Sequence, residues 1–179
     1  MDCSFINEMA TTTRHNHLIA SFMLDIGPLF KKKELFPLQE NCALVFYGRK
    51  MSGEETLIDP DYLENKDEFI SYSIHEHDFV QPDFLLFHRN RYIQDVHKLK
   101  TAGIPDLVVE VWSKYNKSEE RDMKFRLYSS SDNCEHWYIE QDSNSILCYR
   151  GKQRMEDQNL ADALVTTSGL RFDLSHMAL

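Results

Sequence analysis

Apolar residues along this chain gather in a few runs, and the strongest lies near the middle: Ile104 to Ser113, with the sequence IPDLVVEVWS. Val108, Val109 and Val111 are β-branched and show no polar alternation, which predicts a strand covered on both faces. On the amino-terminal side, Leu18, Ile19, Phe22, Met23 and Ile26 recur at helical spacing behind the candidate N-caps Thr11, Thr12 and Thr13. Gly27-Pro28 is expected to end or kink that helix, with Lys31 to Lys33 as a solvated end. Ala43 to Tyr47 reads as a strand, Phe69 to Ile74 as an edge strand, and Phe79 to Phe87 as a clear strand in which Pro82 places a break just before Asp83. Residues 51–68 are polar and acidic and read as a surface excursion.

His88 to Thr101 is basic and polar, a loop with room for a short helical turn around Tyr92 to Val96. Asn116 is expected to cap a helix from about Lys117 to Ser131, packed through Met123, Leu127 and Tyr128, with Glu119 and Glu120 favoured by the dipole of its first turn. Glu135 to Glu140 and Ser145 to Arg150 are predicted strands joined as a hairpin through Gln141 to Asn144. Leu160 to Leu174 reads as one more strand or a lid on the core.

No internal repeat or low-complexity tract divides the 179 residues, so one domain over 1–179 is expected. The formal net charge of −9 excludes a protein that coats nucleic acid by bulk charge. It leaves room for an enzyme that meets phosphate through bound metal and a local basic rim. Cys3, Cys42, Cys134 and Cys148 form no CxxC pair, which fits a reducing compartment. No apolar run approaches a membrane span and the start carries no signal pattern, so the expectation is a cytoplasmic protein with no membrane partner.

Glu110 is the residue that demands explanation. An ionised carboxylate inside an apolar strand is costly unless a cation or a donor compensates it. The plain alternative is a strand-end Glu facing water or paired with an Arg. Asp83 opens the preceding strong strand, and Lys124 follows on the next helix, sharing a face with Glu120 and Tyr128. If the two strands are neighbours, Asp83 and Glu110 can point into one cleft. With a main-chain carbonyl, that of Val111 being the natural candidate, they make an all-oxygen site suited to Mg²⁺ or Mn²⁺. A lysine beside such a site can orient a water or offset charge. Taken singly, Asp83 reads as a turn or cap residue and Lys124 as a solvated one.

The same residues carry a resemblance. V-x-P-D before four apolar residues (Val80, Pro82, Asp83), then Gly103, Pro105, Asp106, Glu110 and Ser113, then Asp122, Lys124 and Tyr128, then Trp137 and Tyr138, resemble the Uma-type family of predicted restriction endonucleases, within the PD-(D/E)xK nuclease superfamily. Thr13-Arg14-His15-Asn16 is similar to the start of that family's first helix, and Ser168 to Leu174 to its closing segment. The resemblance implies an α/β (α+β) fold with a mixed central β-sheet flanked by helices. It implies a metal-dependent phosphodiesterase with Asp83 and Glu110 as metal carboxylates, Lys124 as the lysine, Tyr128 supporting Lys124 and His15 in a supporting role. The usual lysine position, two residues after the acid, is held here by Trp112; in this family the lysine is thought to come from the following helix. The insert at 51–78 is longer and more acidic than expected of a relative.

The leading expectation is therefore a Mg²⁺- or Mn²⁺-dependent endonuclease acting on nucleic acid, DNA first, as a homodimer because a duplex has two strands. The rivals are a non-catalytic binding or assembly module on the same scaffold, and a metal hydrolase acting on RNA or small nucleotides. His75-Glu76-His77-Asp78 reads as a polar loop, Asp106 as a turn or cap residue, and Trp112 and Trp137 as core. G-x-G-x-x-G, P-loop and G-x-S-x-G patterns are absent, which removes the functions that rest on them.

Overall fold

The computed structural model describes residues 13–31, 35–39, 43–45, 80–88, 93–95, 100–102 and 104–179. In chain order the described elements are helix α1 (Thr13–Lys31) and strands β1 (Leu35–Gln39), β2 (Ala43–Val45), β3 (Phe84–His88), β4 (Ile93–Asp95), β5 (Lys100–Ala102) and β6 (Leu107–Trp112). Helix α2 (Ser118–Tyr128) follows, then β7 (Glu135–Glu140), β8 (Ser145–Arg150), β9 (Gln153–Arg154), β10 (Gln158–Asn159), β11 (Ala163–Val165), β12 (Arg171–Asp173) and a 3-10 turn at Ser175–Met177. The main sheet runs β1-β3-β6-β7-β8-β10, with β9 on β8. Its β6–β7 pair is parallel and joined through α2, while the other pairs are antiparallel. This is the mixed α+β sheet expected.

Burial explains why β6 is apolar at every position except Glu110: all six of its residues are buried. Successive side chains of a strand point to opposite faces. Leu107, Val109 and Val111 join Phe84 and Leu86 under α1, where Leu18, Ile19, Phe22 and Ile26 supply the helical stripe. Phe22 packs on Phe84 (ring centroids 5.3 Å), Phe172 (5.1 Å) and Trp137 (6.3 Å). Val108 and Trp112 join Val80, Leu85, Phe87, Leu127, Tyr128 and Tyr138 on the opposite face, under α2. Trp112 and Trp137 are core residues, as expected.

Several expected features come out differently. Helix α1 passes through Pro28 to Lys31. The carbonyl that Pro28 cannot serve belongs to Leu24, whose side chain is 76% exposed, so water can take that bond. Ile93–Asp95, expected as a helical turn, is a strand paired antiparallel with β5 in a sheet of order β2-β5-β4. A partner strand has overridden weak local preference. Asn116 does not cap α2: its Oδ1 accepts bonds from Ser113 N (2.8 Å) and Ser113 Oγ (3.3 Å), and Lys117 at the N-cap makes no side-chain cap bond. The tail is a two-stranded hairpin, β11–β12, rather than a single strand, and it covers the core as the alternative expected, through Leu160, Leu164, Phe172 and Leu174.

The expected hairpin 135–150 appears with its anticipated limits. Asp106 is a turn residue: its Oδ2 accepts His88 N–H (2.6 Å) and its Oδ1 lies 2.9 Å from His88 Nδ1. Cys134 and Cys148 are buried in the core. Among the described residues no helix is long and apolar enough to cross a membrane. The acidic stretch 51–68, the strand expected at 69–74, the His75–Asp78 cluster and Lys32 and Lys33 lie outside the described residues.

Candidate functional site

Glu110 sits in the half of β6 that faces α2, between Val108 and Trp112. On α2, Lys124 and Tyr128 are one turn apart and point at the sheet together. The Tyr128 hydroxyl donates to Glu110 Oε1 at 2.6 Å, and Lys124 Nζ donates to Oε2 at 2.8 Å. Both carboxylate oxygens are thus engaged from one helix, with Glu110 only 1% exposed. Lys124 Nζ also donates to the main-chain oxygen of Gln81 (3.3 Å) and stands 3.8 Å from Glu120 Oε1.

Asp83 arrives from the neighbouring strand. The antiparallel register pairs Phe84 with Val109, so one step further along sets Asp83 beside Glu110. Pro82, just before it, has no N–H to lose at the strand entry. Asp83 Oδ2 accepts the Val111 N–H at 2.7 Å, and its Oδ1 lies 3.4 Å from Nε2 of His15, a buried residue in the first turn of α1.

Burial raises the Glu110 carboxyl to about pH 7; Lys124 and Tyr128 oppose the shift while the Asp83 charge adds to it. That corresponds to about 3 kcal/mol against the ionised form relative to water. Burial also works against the Lys124 ammonium, but Glu110 beside it, with Asp83 and Glu120, outweighs burial and holds its pKa above the ordinary value. The pair is unequal: Glu110 is the more deeply buried partner, and one ammonium repays only part of its desolvation. Tyr128 is pushed well above its ordinary range, by burial first and by Glu110 second, and stays a hydroxyl donor.

All six expected residues therefore lie in one connected group: Asp83, Glu110, Val111, Lys124, Tyr128 and His15. The contact seen for Val111 is made by its N–H. Asp122, quoted in the same motif, is exposed on the outer side of α2. Sequence reasoning missed Gln81, which contributes a backbone atom and leaves no side-chain signal. It also missed two arginines that fix the frame. Arg121 donates to Glu140 Oε1 (2.6 Å) and the Ser113 carbonyl (2.7 Å) and lies 4.6 Å over the Trp112 ring. Arg14 donates to the carbonyls of Gln141, Ser143 and Met177. Their presence in R-D-x-K and T-R-H-N was the available signal.

Asp83 and Glu110, two carboxylates from adjacent strands, are the oxygen donors that could hold a hard divalent cation, and Lys124 offsets only part of the burial of Glu110. Each carboxylate oxygen that accepts one hydrogen bond keeps a second lone pair for an ion. Among the described residues no group of three or more His, Cys, Asp and Glu side chains could hold a metal, so the remaining ligands would be main-chain, water or substrate oxygens.

Comparison with known proteins bears on the fold and the family. Over 96% of this chain and 83% of the other, the fold matches a crystal structure described as a putative nuclease belonging to DUF820 from Anabaena variabilis, with a TM-score of 0.60 and 13% identity. At that identity the likeness is one of fold. No curated protein matches the chain. A family model described as "Uma2: Putative restriction endonuclease" matches residues 60–178, a span that holds Asp83, Glu110, Lys124 and Tyr128. The chain belongs to the Uma2 family.

Proposed function

We propose that this chain is a Mg²⁺- or Mn²⁺-dependent endonuclease that hydrolyses phosphodiester bonds in DNA. The observation that carries the reading is the carboxylate of Glu110, desolvated in an apolar strand, beside Asp83 and gripped by Lys124 and Tyr128. Asp83 and Glu110 would hold the cation, with the Val111 or Gln81 carbonyl as a third oxygen. Such an ion, when bound, supplies Lewis acidity toward a phosphoryl oxygen and an acidified water.

The chain's own groups set up the rest. The Val111 N–H fixes Asp83 Oδ2, and His15 Nε2 stands 3.4 Å from the other oxygen. The Tyr128 hydroxyl pins Glu110 Oε1, leaving that oxygen one lone pair for a ligand. Lys124 supplies an ammonium that can orient a water or offset charge gathering on phosphate. Asp83 is the most exposed of the three charged groups, its side chain 17% exposed against 11% for Lys124 and 1% for Glu110.

The test is cleavage of supercoiled plasmid and of single-stranded DNA with Mg²⁺ or Mn²⁺. The native chain should nick or cut at least one substrate, and Asp83→Ala and Glu110→Ala should each lower the rate about a hundredfold or more. Cutting that survives both substitutions overturns the assignment. The net charge of −9 supports a rival reading, a non-catalytic assembly module. That reading expects no divalent-ion binding dependent on Glu110 in calorimetry.

A further inference from the structure

Lys124 is within reach of more than one acid. Its amine bonds Glu110 Oε2 at 2.8 Å and lies 3.8 Å from Glu120 Oε1, and the Lys124 side chain is 11% exposed whereas that of Glu120 is 41% exposed. Glu120 stands one helical turn before Lys124, the order in which such a pair is most favourable on a helix. In the structure the ammonium supplies the compensating positive charge for Glu110. A divalent cation brought to Asp83 and Glu110 would do the same task, and would repel an ammonium held at hydrogen-bond distance from the shared carboxylate. The lysine stem is long and flexible, and closing the gap to Glu120 takes about 1 Å of movement to reach a charged hydrogen bond. The other acceptor at hand, the Gln81 carbonyl, carries no net charge.

We propose that Glu120 is a positioning residue: it receives the Lys124 amine when a divalent cation enters beside Glu110, and so sets how readily the cation binds. The proposal rests on the metal reading given above. It separates two functions of one lysine. Paired with Glu110 the amine is an internal counter-ion that keeps the empty protein stable; drawn toward Glu120 it is clear of the ion yet still beside the reacting edge.

The experiment is a double-mutant cycle on Mn²⁺ affinity, measured by calorimetry on the intact chain, with the thermal midpoint of each metal-free variant recorded alongside. The variants are Glu120→Gln, Lys124→Met and the double substitution, with Glu110→Ala as control. Glu120→Gln should weaken Mn²⁺ binding about threefold or more in the native background. Lys124→Met should tighten binding. In the Lys124→Met background, Glu120→Gln should have no further effect, because there is no amine to receive. A carboxylate that merely attracts the ion by its charge would weaken binding equally in both backgrounds, and that result overturns the proposal. No effect of Glu120→Gln in the native background also overturns it. If the native chain binds no Mn²⁺, or binds it equally well as Glu110→Ala, the metal reading itself fails and the role of Glu120 falls with it.

Discussion

At the scale of single residues, the position of Glu110 makes protonation part of stability. Its carboxyl titrates near pH 7 when folded and near 4.5 when unfolded. Between these values the folded chain holds one proton more, so the group's contribution is full below pH 4.5 and is lost as pH rises through 7. Comparing the native chain with Glu110→Gln isolates it. The stability of the native chain relative to the variant should fall by about 2.5 kcal/mol between pH 5 and pH 8, read from denaturant unfolding. A difference that is flat with pH would show that the acid is not desolvated in solution. Glu110 was legible in the sequence because a charge in a valine-rich run has no comfortable default. Lys124 and Tyr128 were legible through helical spacing. The Gln81 carbonyl was not, since every residue has one and only the path of the chain decides which is used.

At the scale of elements, patterns that depend on neighbours in sequence were read well, and those that depend on distant partners were not. Strand spacing and the turn residues Gln141 to Asn144 gave the β7–β8 hairpin its limits. The Ile93–Asp95 strand exists through pairing with β5, and nothing local to it announces that partner. Asn116 looked like a cap because capping residues and turn residues are the same residue types. The end of the β7–β8 hairpin holds a further constraint that spacing alone does not reveal. Gly151 has φ of +55°, and a Cβ there would come within 2.5 Å of Asp132 Oδ1 and 2.9 Å of Asp132 Cα. Its carbonyl accepts from Nε2–H of buried His136 at 2.9 Å. That assigns the tautomer, so His136 Nδ1 accepts the Tyr138 hydroxyl at 2.8 Å. Burial lowers the His136 ring to about 4, which keeps it neutral. Gly151→Ala should destabilise the chain by about 1–3 kcal/mol in chemical denaturation. A loss below a few tenths would mean that the turn relaxes freely.

At the scale of the whole molecule, the net charge of −9 sets the terms on which DNA can approach. Long-range steering is weak, so binding depends on short-range contacts and on ions in solution. A duplex presents two scissile strands, and we propose that two copies act together. Sedimentation at micromolar concentration should give a mass near twice 21.1 kDa, and a monomer there contradicts the pairing.

Arg14 and His15 are neighbours on α1 with very different addresses. Arg14 reaches the turn between β7 and β8 and the Met177 carbonyl, while His15 stands against Asp83. One peptide unit therefore separates the residue that holds the remote turn from the residue beside the acid that opens the site. Arg14→Ala should loosen that grip and weaken Mn²⁺ binding severalfold, although its side chain reaches no candidate ligand; calorimetry that finds unchanged affinity would show the two ends to be mechanically separate. On this view the turn between β7 and β8 is a tuning point, where a change can reset the working centre without altering any of its chemistry.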